Sequence, residues 1–120
     1  MAFCAYLGLL RDHEYEFFGT DGYDRVLCSV SDKVMKPLPF ANEIYRNINN
    51  MILCGRPEAR RLFYGNAVGA IYNKEDLEYY LSGLFRWRWF EPQEYLDEIL
   101  DYVHRLDPET IYVLIVCNEY

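Results

Sequence analysis

The chain has none of the linear signatures that tie a sequence to a known chemistry. Its 120 residues contain no glycine-rich phosphate loop, no Gly-x-Ser-x-Gly elbow and no His-Glu-x-x-His pair. These gaps weigh against an enzyme without removing the possibility, because many active sites have no linear signature. Histidine is scarce, with His13 and His104 the two present. The trio Asp12-His13-Glu14 gathers three polar groups, but neighbouring side chains on an extended segment point to opposite faces and converge poorly on one ion. We therefore expect no metal and no cofactor.

Cysteine never occurs as a CxxC pair. Cys4, Cys28, Cys54 and Cys117 lie far apart in apolar surroundings, which predicts reduced thiols acting as small core residues. No apolar run approaches the ~20 residues of a membrane helix: the first, Ala2 to Leu10, ends at Arg11-Asp12-His13-Glu14 and carries no basic leader. The expectation is a cytoplasmic protein with no membrane partner. Repeats, linkers and low-complexity stretches are also absent, so residues 1–120 read as a single globular domain, long enough to bury roughly two thirds of its extended-chain surface.

Positive charge is in deficit. Asp and Glu number 19 against 12 Lys and Arg, for a net charge of −7, which disfavours direct nucleic-acid binding despite a local basic patch at Arg56, Arg60 and Arg61. Aromatic residues, by contrast, make up 18% of the chain. Aromatics and Arg dominate interface energetics, and an acidic surface favours basic partners.

Period-2 patterning predicts strands at Ala2 to Leu10, Glu14 to Phe18 and Tyr23 to Ser31, the last two joined by Gly19-Thr20-Asp21-Gly22 as a hairpin turn. Lys36-Pro37-Leu38-Pro39 then breaks the extended pattern. Apolar residues at Phe40, Ile44, Ile48, Met51 and Ile52 have helical spacing, with Gly55 placed to close the helix. Pro57 is suited to open a short helical turn reaching about Gly65, and Ala67 to Tyr72 reads as a strand between two helical elements. Asn73 reads as the N-cap of a helix carrying Leu77, Tyr80, Leu81, Leu84 and Phe85 on one face. A further helix begins near Pro92, with an apolar stripe of Leu96, Ile99, Val103 and Leu106, and Asp107-Pro108-Glu109-Thr110 stops it. Ile111 to Cys117 is apolar on both alternating faces, as expected of a strand inside a sheet. The fold class is α+β: a mainly antiparallel sheet, formed by an N-terminal three-strand meander and a C-terminal buried strand, with three to four helices packed on it.

Three segments invite a functional reading. Cys54-Gly55-Arg56-Pro57-Glu58-Ala59-Arg60 has the Cys-x5-Arg spacing of a phosphatase loop, but Glu58 places negative charge in the would-be anion cradle and Pro57 removes an amide. The competing interpretation is a helix-turn-helix junction with a buried Cys. Phe85-Arg86-Trp87-Arg88-Trp89-Phe90 holds both tryptophans; if extended, Trp87 and Trp89 share a face with Phe85. That face is either a binding surface or a core edge with Arg stacked on it. The last helix carries Glu94, Asp97, Glu98 and Asp101, opposed locally by Arg105 and His104. Its i,i+4 acid pairs each repel by ~0.2–0.5 kcal/mol, a cost borne either for solubility or for recognition.

Together these features lead to an expectation: a small acidic inhibitor of the immunity or antitoxin type that occludes a basic, nucleic-acid-acting toxin or effector. Trp87, Trp89, Glu94, Asp97, Glu98 and Asp101 would be its partner-binding residues. The alternatives are a small enzyme or ligand-binding domain with a Tyr-lined pocket, and a structural subunit that self-associates through Phe85 to Phe90. Oligomeric state is not legible in the sequence.

Overall fold

A computed structural model of the chain describes residues 2–10, 34–62, 67–86 and 92–119. In chain order the elements are β1 (Ala2–Leu10), β2 (Val34–Leu38), α1 (Ala41–Leu53), β3 (Ala59–Leu62), β4 (Ala67–Asn73), α2 (Lys74–Phe85), α3 (Gln93–His104) and β5 (Ile111–Glu119). The strands form one sheet in the order β2-β1-β5-β4-β3, and every neighbouring pair is antiparallel. Among the described residues three helices pack on it, so the α+β class holds. The expected strands at 14–18 and 23–31, and with them the meander, lie outside the described residues.

Strand alternation decides which residues meet the helices. Ala5 and Leu7 of β1, Val68 and Ala70 of β4, and Tyr112, Leu114 and Val116 of β5 join one hydrophobic cluster with Ile44, Ile48, Leu77, Leu81, Leu96, Ile99 and Val103 from the helices. The intervening Val113 and Ile115 on β5 are buried too. This strand lies between β1 and β4, so its apolar character on both faces matches its interior place in the sheet.

Helix ends follow local chemistry. α1 closes in a Schellman motif: Gly55 sits at φ 75°, its N–H donates to Ile52 O, and the Arg56 N–H donates to Met51 O. At its start Phe40 occupies the left-handed region at φ 61°, and its ring packs edge to face with that of Phe85, the centroids 5.8 Å apart. α2 begins where Asn73 Oδ1 accepts the Asp76 N–H at 2.8 Å. Asn73→Ala is expected to lower stability by about 1 kcal/mol, read as a lower urea midpoint at unchanged slope. Past α3, Asp107 accepts the Glu109 N–H at 2.9 Å and the Thr110 hydroxyl at 3.2 Å, while its carbonyl accepts the Tyr112 hydroxyl at 2.8 Å. These bonds turn the chain into β5.

Two expectations are corrected. β2 continues through Lys36 and Pro37 to Leu38 instead of breaking there. Among the described residues it is an edge strand, where a missing backbone donor is tolerated. The helical turn expected from Pro57 is strand β3, so β4 has a strand before it and a helix after it. Pairing of Ala59 with Ala70 and of Arg61 with Val68 outweighs the local helix-start signal.

Three of the four cysteines are less buried than expected: Cys54 is exposed, and Cys4 and Cys117 are half-buried, while Cys28 lies outside the described residues. Cys4 and Cys117 are also register partners on β1 and β5. Directly opposed residues share a face of the sheet at a Cα spacing of about 4.5–5.5 Å, within the span of a disulfide. Mild oxidation with hydrogen peroxide is expected to join them, the two thiol hydrogens and the peroxide leaving as two waters and the product being two hydrogens lighter, with their proteolytic peptides linked. Modification confined to Cys54 would contradict this.

Candidate functional site: an acidic helix face and a tyrosine cleft

In α3, burial of Leu96, Ile99 and Val103 leaves the opposite side of the helix to solvent. At about 100° per residue, Glu94, Asp97, Glu98 and Asp101 fall within about 100° of arc directly opposite that stripe. All four are exposed, and the helix itself contains no Lys or Arg. Glu94 lies in the first turn, where the helix dipole favours an acid.

Part of this charge is met from outside the helix. Lys36 of β2 reaches Glu98 at 3.4 Å, and Arg105 reaches Asp101 at 3.5 Å. The Gln93 amide donates to Asp97 at 2.8 Å. His104 instead faces Glu78 of α2 at 3.5 Å. Both ion pairs leave their acids about two-thirds exposed, so solvent screens them and the outward field stays negative.

Trp87 and Trp89 lie outside the described residues. Phe85 is the last residue of α2 and is buried, and Arg86 is its helical C-cap, so the alternating extended arrangement does not apply to the start of that hexapeptide.

The second feature is a cleft of about 640 Å³ between the C-terminal half of α1 and α2. Asn47 and Met51 come from α1, Arg56 and Glu58 from the turn that follows it, and Ile71 and Tyr72 from the end of β4. The far wall is α2, with Asp76, Tyr79, Tyr80, Gly83 and Leu84. Tyr72 and Tyr80 stack with ring centroids 5.6 Å apart and planes inclined by 19°. The Tyr80 hydroxyl donates to Asn47 Oδ1 at 2.7 Å, and that of Tyr72 points to Met51 Sδ at 3.8 Å. Tyr79 is 85% exposed at the mouth. Arg56 is held by Glu58 at 3.4 Å.

Burial pushes the Tyr72 hydroxyl up to about 12, with Asp76 and Glu58 adding to the effect and Arg56 opposing it. Burial, helped by Asp107, raises Tyr112 as well. For an acidic group raised on folding, the unfolded chain loses its proton first, near 10, so the stabilising effect is complete below that pH and is lost as pH climbs towards 12. Allowing for the partial exposure of Tyr72, stability should fall by about 1–2 kcal/mol across this window. Urea midpoints at pH 9 and 11.5 measure the slope, and Tyr72→Phe should flatten it.

The Cys54 to Arg60 segment forms no anion cradle. The amides of Cys54, Gly55 and Arg56 donate to Asn50, Ile52 and Met51, and that of Ala59 donates to Arg56 O. Cys54 is exposed at the helix end, and Arg60 lies on β3, so the junction is helix-turn-strand with a solvent-facing thiol. Arg60 and Arg61 are successive strand residues pointing to opposite faces, which disperses the basic patch expected there.

Among the described residues, no three His, Cys, Asp or Glu side chains gather as a metal site, and no helix is long and apolar enough to cross a membrane. No protein-family model, curated protein or solved structure matches the chain.

Most of the cleft is missed by sequence reasoning. Tyr80 reads as a packing residue because it falls on the apolar stripe of α2, and its hydrogen bond to Asn47 spans 33 positions. The available signal is the Tyr79-Tyr80 doublet about two turns after the Tyr72-Asn73 junction.

Proposed function

We propose that this chain is a small protein-binding inhibitor, of the immunity or antitoxin type, that acts in the cytoplasm on a basic toxin or effector. The observation that carries the reading is α3: four exposed acids opposite a stripe that is fully used in the core. An outward face with i,i+4 acid repulsion contributes nothing to packing, while it steers a positively charged protein into contact. Basic partners commonly act on nucleic acid, and a row of carboxylates on a rigid helix imitates a phosphate backbone. Trp87 and Trp89 stay in the proposal as aromatic contacts flanking the acidic helix.

The cleft favours a second reading, a small-ligand-binding domain. Its volume lies within the range of about 300–1,000 Å³ of small-molecule sites, and tyrosines line it.

The test is affinity capture from the cells that make the protein, with mass spectrometry, using the native chain beside D97K/E98K/D101K. The inhibitor reading expects a basic protein retained by the native chain and depleted with the variant. Retention of the same protein equally well by both would remove α3 from the recognition surface.

A further inference from the structure

We infer that the cleft between α1 and α2 receives the guanidinium group of an arginine side chain presented by the basic partner. The inference rests on the reading of a basic protein partner and assigns that partner an anchor away from α3.

Shape and lining come first. An open hollow of about 640 Å³ between two helices admits a long side chain with its flanking backbone. One wall is the stacked Tyr72–Tyr80 pair, and the mouth carries the largely exposed ring of Tyr79. Aromatic faces attract cations, and a flat, weakly hydrated guanidinium stacks on them better than a compact ammonium does.

Charge selects the sign. Among the described residues, two carboxylates, Glu58 and Asp76, line the cleft against one cation, Arg56, and that cation is already engaged by Glu58. Tyr72 reports the local field: Asp76 and Glu58 both favour its protonated form, against Arg56 alone. An anionic ligand would meet this field and a chain of net charge −7. A cation gains from both: the Asp76 carboxylate is exposed and open to it, and Glu58 is half-buried beside it.

The test is an NMR titration of the ¹⁵N-labelled full chain with a capped pentapeptide Gly-Ser-Arg-Ser-Gly. Its companions carry citrulline, lysine or alanine at the centre, and N-acetyl-arginine amide serves as the free small cation. The expected result is saturable shifts at Tyr72, Asp76, Tyr79, Tyr80 and Gly83, with affinity at least about tenfold weaker for citrulline, which keeps the plane and loses the charge. Lysine should fall between arginine and citrulline. E58Q/D76N should weaken arginine-peptide binding about tenfold, since both substitutions remove charge. Gly83→Leu should abolish it by filling the cleft, and nothing lies within 4 Å of the added Cβ, so the chain can fold around it.

D97K/E98K/D101K should leave this titration unchanged. A failed titration alongside a partner complex that still depends on α3 overturns the cleft inference alone; the reverse outcome overturns the α3 reading alone. Equal binding of the arginine and citrulline peptides, or no saturable shift, overturns the cationic site. Tighter binding of N-acetyl-arginine amide than of the peptide overturns a partner side chain as the source.

Discussion

D97K/E98K/D101K is expected to slow association with the basic partner by about 10–100-fold at low ionic strength while leaving the fold intact. All three side chains are exposed on the side of α3 away from the core, so reversal moves no packed atom. Within the chain the reversal breaks weak interactions: the solvent-screened Lys36–Glu98 and Arg105–Asp101 pairs, worth up to about 1 kcal/mol each, and the exposed Gln93–Asp97 hydrogen bond. A lysine at position 98 also turns the i,i+4 repulsion from Glu94 into attraction, which offsets part of that. Stopped-flow association at two salt concentrations reads the effect. It should shrink towards unity near 1 M salt, where the screening length is about 3 Å. A loss that is the same at both concentrations would mean that these acids are packed contacts and contribute no steering.

Leu114→Ala is expected to remove about 2–5 kcal/mol of folding stability. Leu114 is 1% exposed on the central strand, opposite Leu7 on one neighbour and Ala70 on the other. Ala70 has no side chain beyond Cβ with which to fill the space, so much of the volume vacated stays empty. Domains of this size are typically stable by about 5–15 kcal/mol, so the loss is a large share of the whole. With a urea slope of about 2 kcal/mol/M, the midpoint falls by about 1–2.5 M. A loss below about 0.5 kcal/mol would contradict the place given to β5 at the centre of the core.

Elements with strong periodicity or specific end chemistry were legible in the sequence. Ile44 and Ile48 mark the buried face of α1, Gly55 its end, Asn73 the start of α2, and the doubly apolar run from Ile111 an interior strand. The edge strands were not. β2 contains Pro37, and β3 is four residues long with Arg60 and Arg61 at its centre. Edges tolerate proline and charge because, among the described residues, one side of each lacks a partner strand, and those same residues erase the pattern that would announce a strand. The acidic face of α3 was visible because four acids at helical spacing need only the local period to be placed together. The cleft was not, since it exists only where α1, the Arg56–Glu58 turn, the end of β4 and α2 meet, joining Asn47 to Leu84. Periodicity marks which side of a helix turns inward, but not where two helices leave a gap.

Hydrogen–deuterium exchange of the chain, alone and saturated with the captured basic partner, tests the central claim most directly. Recognition through α3 and the cleft predicts new protection in Gln93–His104 and in the Tyr72 to Leu84 stretch, with β3 unchanged. Protection confined to β3 or β2, with α3 exchanging as in the isolated chain, would contradict it.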